Sequence, residues 1–190
     1  MSESKIRIVH LYISPAHNFF GHHDQPAGDN PTLEVEEVRC VAGSGIEGDR
    51  FFNFKEDYKG QITFFASEVY NRLCRDLGVD AAPSVFRRNA ITRGVDLNAL
   101  IGKKFEIQGV QFEGVAECKP CYWMDFAIGQ GAESALQGRG GLRARILTSG
   151  FLRPDYEKSL THCLSDTSLE LRFGTVAVHA SAFPLLHKLR

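Results

Sequence analysis

Short apolar runs of strand length, separated by glycine, proline and asparagine, fill most of this chain, and only one segment carries helical periodicity. Residues 6–13 are rich in β-branched and aromatic side chains and read as a strand. Strand character returns at 33–41, 61–65, 90–92 and 142–148, and 104–116 reads as a hairpin turning near Gln108-Gly109. The one clear helix runs from Ser67, placed as its N-cap, to Leu77. Val69, Tyr70, Leu73 and Leu77 lie on one face and Gly78 ends it. Residues 96–100 and 132–137 suit short helical turns, and 169–173 suits a last strand. Many short strands with so little helix predict a mainly β domain. A closed or nearly closed β-barrel is the economical answer to exposed sheet edges.

The chain has 190 residues and a formal net charge of −1. A domain of that size buries about 70% of the surface of its unfolded chain, so it can fold without a disulfide or metal. The balanced charge argues against a nucleic-acid partner or a membrane-surface partner, either of which calls for a basic excess. No run approaches the ~18 apolar residues of a membrane span. Residues 1–5 lack a secretory pattern, which makes a cytoplasmic location the expectation. Patterning weakens beyond residue 157. That predicts one domain over 1–157, with its motifs in 40–155, and a C-terminal extension over 158–190.

Chemistry is concentrated in three places. Five cysteines are present, an odd number without a secretory signal, so a disulfide framework is not expected. Cys40 and Cys74 read as packing thiols, and Cys163 has no assigned role. Cys118 and Cys121 form a C-x-P-C pair beside Lys119. The thiolate is the form that attacks or binds metal; it suits soft metals and can carry a persulfide. A thioredoxin-like pair requires a βαβ setting that is absent from the pattern. Structural zinc requires four ligands where one C-x-x-C stands. Two buried packing thiols remain a plain alternative.

Arginines come second: Arg87, Arg88, Arg93, Arg139, Arg143 and Arg145 fall in or beside turns and strand starts. Guanidinium forks bind phosphate and carboxylate bidentately, and Gly138, Gly140 and Gly141 let backbone approach a ligand. Arg143 and Arg145 have the two-residue spacing that puts both on one face of a strand, an arrangement that asks for an anion if that face is inward. Third, His17, His22, His23 and Asp24 lie in one long loop; His22 and His23 are candidate metal ligands, although loop histidines are more often solvated. The run Gly45-Ile46-Glu47-Gly48-Asp49-Arg50 lacks the lysine of a phosphate loop and reads as a turn that positions Asp49 and Arg50.

Taken in order, five runs resemble the MOSC family, the domain found at the C-terminus of molybdenum-cofactor sulfurases. They are Gly45-Ile46-Glu47-Gly48-Asp49-Arg50, Gly60-Gln61-Ile62-Thr63, Asn89-Ala90-Ile91-Thr92-Arg93-Gly94-Val95-Asp96-Leu97, Pro120-Cys121 and Gly138-Arg139-Gly140-Gly141-Leu142-Arg143-Ala144-Arg145. The resemblance implies a barrel like the pyruvate-kinase insert and a site that handles the molybdenum cofactor or sulfur bound to it. It implies Cys121 as the metal or sulfur ligand, Arg93, Arg139 and Arg143 on the pterin phosphate, and Asp49 and Asn89 as site-shaping residues. Many stand-alone members read Gly-Glu-Asn where this chain has Arg87-Arg88-Asn89, so the pocket here is more cationic and Arg88 joins the cofactor-binding candidates. The histidine-rich loop is outside the family pattern, and these residues show neither an N-terminal β-barrel partner domain nor an aminotransferase-like sulfurase domain, so the full sulfurase reaction is not expected of them. These features imply a molybdenum-cofactor binding domain, a carrier or a component of a reductase acting on N-hydroxylated substrates. A sulfur carrier through a Cys121 persulfide, with Cys118 as resolving thiol, is a second reading. An anion-binding or docking module without catalysis is a third. The first two call for an electron-transfer or sulfur-donor protein as partner.

Overall fold

The structure is a computed structural model that describes residues 5–18 and 28–155. Its elements in chain order are β1 (Arg7–Ile13), β2 (Leu33–Glu34), β3 (Val38–Val41), β4 (Gly45–Ile46), β5 (Ile62–Ala66), α1 (Ser67–Leu77), β6 (Ala90–Arg93), β7 (Lys104–Ile107), β8 (Val110–Glu117), α2 (Trp123–Ala127), α3 (Ala132–Ala135), β9 (Leu142–Ile146) and β10 (Gly150–Leu152), with 3-10 turns at Pro83–Phe86 and Leu97–Leu100. The strand expected over 33–41 is split. Leu33 and Glu34 pair with β1, whereas β3 pairs with β4 and β10 in another sheet. The candidate strand at 169–173, His22, His23, Asp24 and Cys163 lie outside the described residues.

A seven-stranded sheet runs in the order β2-β1-β6-β5-β9-β8-β7, and a three-stranded sheet runs β10-β3-β4. β5 and β6 are parallel, and every other strand pair in the two sheets is antiparallel. The expected mainly β domain with few short helices is present, but the expected closed barrel is not. Among the described residues the ladder ends at β2 and β7, and the sheets are open and mixed. The strands that could bridge the β2 and β7 edges, β3, β4 and β10, pair with one another instead, while α1, in the crossover of the parallel β5–β6 pair, packs on one face of the large sheet. The small sheet then covers the opposite face instead of extending the ladder to closure.

β5 is buried on both faces, in keeping with a run that is apolar except for Thr63. Ile62, Phe64 and Ala66 pack with Phe112 and Ile146 and with Val38, Cys40 and Ile46 of the small sheet. Phe65 packs on the other face with Leu73 of α1, Phe86, Met124 and Leu136. Burial pushes the Cys40 thiol up to about 12, in keeping with a packing role. α1 has the expected bounds, but Ala66 is its cap and Ser67 its first residue. The β7–β8 turn places Gln108 at φ 51° and Gly109 at φ 82°, the double positive-φ pattern of a tight hairpin.

Asn89, on the approach to β6, ties three segments together from a buried position. Its amide nitrogen donates to the Tyr12 carbonyl at 3.3 Å and to Asp49 Oδ2 at 3.1 Å. Its amide oxygen accepts from Thr63 N at 3.0 Å and Thr63 Oγ1 at 2.8 Å. Stranding buried polar groups costs ~1–3 kcal/mol apiece. Asn89→Ala is therefore expected to lower unfolding free energy by about 3 kcal/mol in urea titrations, with the m-value unchanged. A loss below about 0.5 kcal/mol, the usual range of a neutral surface change, overturns the pinning role.

Candidate functional site

Asp49 sits at the end of the glycine-punctuated 43–48 turn, and its carboxylate is consumed by the frame. Oδ2 accepts from Ser14 N at 3.1 Å and from Asn89, and Oδ1 accepts from Phe51 N at 3.1 Å. Its side chain is 2% exposed, and the adjacent Arg50 side chain is 11% exposed with a longer, 3.6 Å approach to the same carboxylate. The 43–50 turn thus drives one guanidinium inward and gives it a carboxylate partner that is already well bonded. Arg50 also donates to the Arg87 carbonyl at 3.3 Å and lies 4.9 Å over the Phe51 ring.

Arg50 opens onto a hollow of about 210 Å³. Its walls carry Arg50, Arg87, Arg88, Lys119 and Arg143, together with Cys118 and Cys121. No aspartate or glutamate is among the described lining residues. The two sequence segments singled out by their chemistry, the cysteine pair and the glycine-arginine run, therefore meet in space. Cys118 is buried and Cys121 is exposed, both as free thiols.

Glycine makes this meeting possible. A Cβ on Gly140 would run into the Cys118 carbonyl and Pro120, and one on Gly141 into the Phe64 carbonyl. Gly141 also holds φ +104°, which side-chain-bearing residues rarely adopt. Arg88 then fastens the segments. Nη1 donates to the Phe86 carbonyl at 2.7 Å, Nε and Nη2 donate to the Gly140 carbonyl at 3.2 and 3.1 Å, and Nη2 reaches the Cys118 carbonyl at 3.4 Å. Arg88 therefore lines the hollow as a clamp on carbonyls. Arg87 is similarly engaged, donating to the Asn30 and Ala16 carbonyls and to Thr32 Oγ1 at 3.3–3.4 Å.

Arg143 is the least committed fork. Among the described residues its bond is to Tyr58 Oη at 3.4 Å. It stands opposite Thr63 across the β5–β9 ladder, so both side chains lie on the hollow's face of the sheet. The shared face of Arg143 and Arg145 is confirmed, since the alternate residues Leu142, Ala144 and Ile146 are core. The two arginines divide the work, however. Arg145 is neutralised by Asp57 at 2.7 Å and Glu113 at 3.2 Å, outside the hollow.

Burial works against the charge of these cations. It lowers the Arg87 pKa to about 10, with Arg50 adding to the effect. It also lowers Arg50, with Asp49 opposing. His17 lines the hollow edge-on to Phe51 at 4.8 Å, and it is lowered from 6.5 by burial first and by Arg50 next. The structure does not bring Arg93 or Arg139 to this place. Arg93 is an exposed end of β6, and Arg139 lines a different hollow of about 350 Å³ with Glu68, Asp96 and Asn98. Arg50 was legible as a positioned side chain in the turn, but no spacing rule links residue 50 to 143. No cluster of three or more metal-binding side chains occurs among the described residues. No helix there is long and apolar enough to cross a membrane.

Sequence and fold comparisons agree with this architecture. The MOSC domain family matches residues 45–157, more than half of the chain. No curated protein matches by sequence. Among solved structures, the YuaD protein from Bacillus subtilis superposes with a TM-score of 0.61 at 17% identity, over 78% of this chain and 91% of that one. YiiM from Geobacillus stearothermophilus superposes with a TM-score of 0.57 at 16% identity, over 78% of this chain and 71% of that one. At such identities the likeness is one of fold, and it is the sequence match, spanning both the 43–50 turn and the glycine-arginine run, that decides the assignment: this chain belongs to the MOSC domain family.

Proposed function

We propose that the hollow binds a molybdenum cofactor, with the Cys121 thiolate as the metal or sulfur ligand and Arg143 and Arg50 on the anionic end. The observation that carries this reading is the lining itself: one exposed thiol among cations, with no carboxylate on the described walls. A soft ligand and a phosphate cradle side by side match a ligand that carries a soft metal and a phosphate. At about 210 Å³ the hollow is below the ~300–1,000 Å³ that enclose a drug-sized ligand, so it grips part of the cofactor. Bound there, the cofactor supplies redox chemistry at the metal. The chain's own residues bind and orient it: Cys121 from the exposed rim, Arg143 with donors to spare, Arg50 from a nearly buried seat, and Arg88 by holding the walls. Arg143 keeps the anion-binding role the resemblance implied, and Arg50 joins it in place of Arg93 and Arg139. The protein then serves as a cofactor carrier or as a reductase component.

Protein purified from a host that makes the cofactor is expected to contain molybdenum and pterin in near-equal amounts. Cys121→Ser should lose most of the metal, and Arg143→Ala should weaken cofactor binding by ~10–100-fold, the range of a lost charge-assisted hydrogen bond. Absence of both molybdenum and pterin, with Cys121→Ser indistinguishable from the parent, ends this reading.

A second reading has its own observation: Cys118 and Cys121 line one hollow as free thiols. The Cys121 thiolate attacks the outer sulfur of a donor persulfide, R–S–SH. A Cys121 persulfide forms as the donor's S–S bond breaks, and the donor leaves as the thiolate R–S⁻. This reading predicts sulfur that cyanide releases as thiocyanate, absent from Cys121→Ala. A molybdenum-loaded protein without such sulfur decides for the first reading.

His17 provides a pH test of the electropositive hollow. Its folded pKa lies below its ordinary 6.5, so the folded state favours the neutral ring. The resulting stability is present above about 6.5 and lost as pH falls toward the folded value. Thermal melts of ligand-free protein should fall more steeply from pH 7 to 5 than those of His17→Gln. Inorganic phosphate should flatten the slope by offsetting Arg50. Parallel slopes for parent and variant refute the coupling.

A further inference from the structure

A second hollow, of about 270 Å³, adjoins the thiol site and is much less cationic. The two share Asn18, Arg87 and Trp123. Beyond that partition the second hollow is walled by Thr32, Ser84, Val85 and Ala127. Arg87 is the one charged residue among its described lining, and that guanidinium donates back to Asn30, Thr32 and Ala16. So the thiol hollow gathers five cationic side chains, whereas the second has only the Arg87 it shares with the first, and an indole stands on the common wall.

The indole belongs to α2, a short helix that follows the cysteine pair directly. Met124 N donates to the Cys121 carbonyl at 2.8 Å, which starts the helix at the thiol. Trp123 stacks on Phe126, with ring centroids 5.0 Å apart and an interplanar angle of 28°. That contact supports the indole, which lines both hollows at once.

We infer that this annex is a subsite for the uncharged, planar part of the molecule acted on at the thiol site, seated against Trp123 with Ser84 and Thr32 hydroxyls as its hydrogen-bonding partners. The inference rests on the function proposed above, because that function places the reacting centre at Cys121. Charge decides the direction. An anionic tail gains more from Arg50, Arg88, Lys119 and Arg143 in the thiol hollow than from Arg87 on the shared wall, whose donors are turned to Asn30, Thr32 and Ala16. A flat neutral group gains the indole and apolar walls and avoids competing with phosphate. The combined space also resolves the size shortfall of the thiol hollow for an enclosed ligand.

The chain has one tryptophan, so its emission reports the partition directly. Benzamide, neutral and planar, serves as the probe, and inorganic phosphate reports the cationic hollow. Benzamide is expected to change Trp123 emission saturably, and saturating phosphate should leave its Kd within about twofold. Ser84→Phe and Ala127→Leu, which fill the annex from two sides, should each weaken benzamide at least tenfold while keeping parental phosphate affinity. Retained phosphate binding shows that the variants are folded. Unchanged emission, parental benzamide binding in both variants, or competitive displacement by phosphate overturns the subsite. If 6-methylpterin binds the annex and molybdenum-loaded protein no longer admits benzamide, the annex belongs to the cofactor's own ring, and the substrate assignment falls. Failure of the cofactor reading is a different result: no molybdenum or pterin in the purified protein, whatever benzamide does.

Discussion

The Asn89 amide holds this protein's site together. One planar group satisfies a β1 carbonyl, a β5 amide and hydroxyl, and the Asp49 carboxylate, all out of water. Asp49 in turn holds Ser14 N and Phe51 N. Such networks are strong only when complete, because a buried polar group without its partner costs more than the bond contributes. Through this network the 43–50 turn is fixed against the large sheet, and Arg50 follows from the turn. The carboxylate that could neutralise Arg50 fully is instead employed in the frame, so the site inherits positive charge from the way the fold is pinned.

The other wall depends on close approach. β9 reaches the cysteine segment only because residues 140 and 141 carry no Cβ, and Arg88 locks the contact by donating to carbonyls on both sides. Carbonyls satisfy hydrogen-bonding capacity without cancelling charge. This is how Arg87 and Arg88 remain half-buried beside Arg50 while donating to neutral oxygens. The arrangement differs from a surface patch of solvated arginines, where water and salt screen each charge.

Much of this was legible from residue order, and the gaps have physical causes. The β5 run, the α1 stripe ending at Gly78, and the Gln108-Gly109 hairpin declare themselves through local periodicity and turn chemistry. The meeting of Cys121 with Arg143 was readable as two chemical segments, although nothing local says that they touch. Arg93 and Arg139 were assigned by resemblance to the phosphate, and the strand geometry carries them elsewhere: Arg93 ends β6 exposed, and Arg139 precedes the tight 140–141 approach. Arg50 was legible as a side chain its turn positions, but not its place on the hollow's wall, which depends on Asp49 being held by Asn89, forty residues away in sequence. Barrel closure was inferred from the general need to protect edges. The parallel β5–β6 pair is a non-local event that short-range patterns do not encode.

Folding and binding are therefore one problem in this molecule. The native state gathers cations that the extended chain keeps apart and in water, and burial lowers the pKa of both Arg50 and Arg87. An anion bound in the hollow, as proposed, would relieve that opposition and would bind the folded form alone. Stabilisation by such a ligand grows as RT ln(1 + [L]/Kd), ~2.7 kcal/mol at a hundredfold excess over Kd. That gain is comparable to the loss expected from breaking a buried hydrogen-bonded network. A site with so little compensating negative charge is thus sustained by the frame, and an anionic ligand of the kind proposed would strengthen it. The annex proposed beside it adds no cation beyond the shared Arg87, so a flat neutral group seated there would add shape and ring stacking to the electrostatic grip of the thiol hollow.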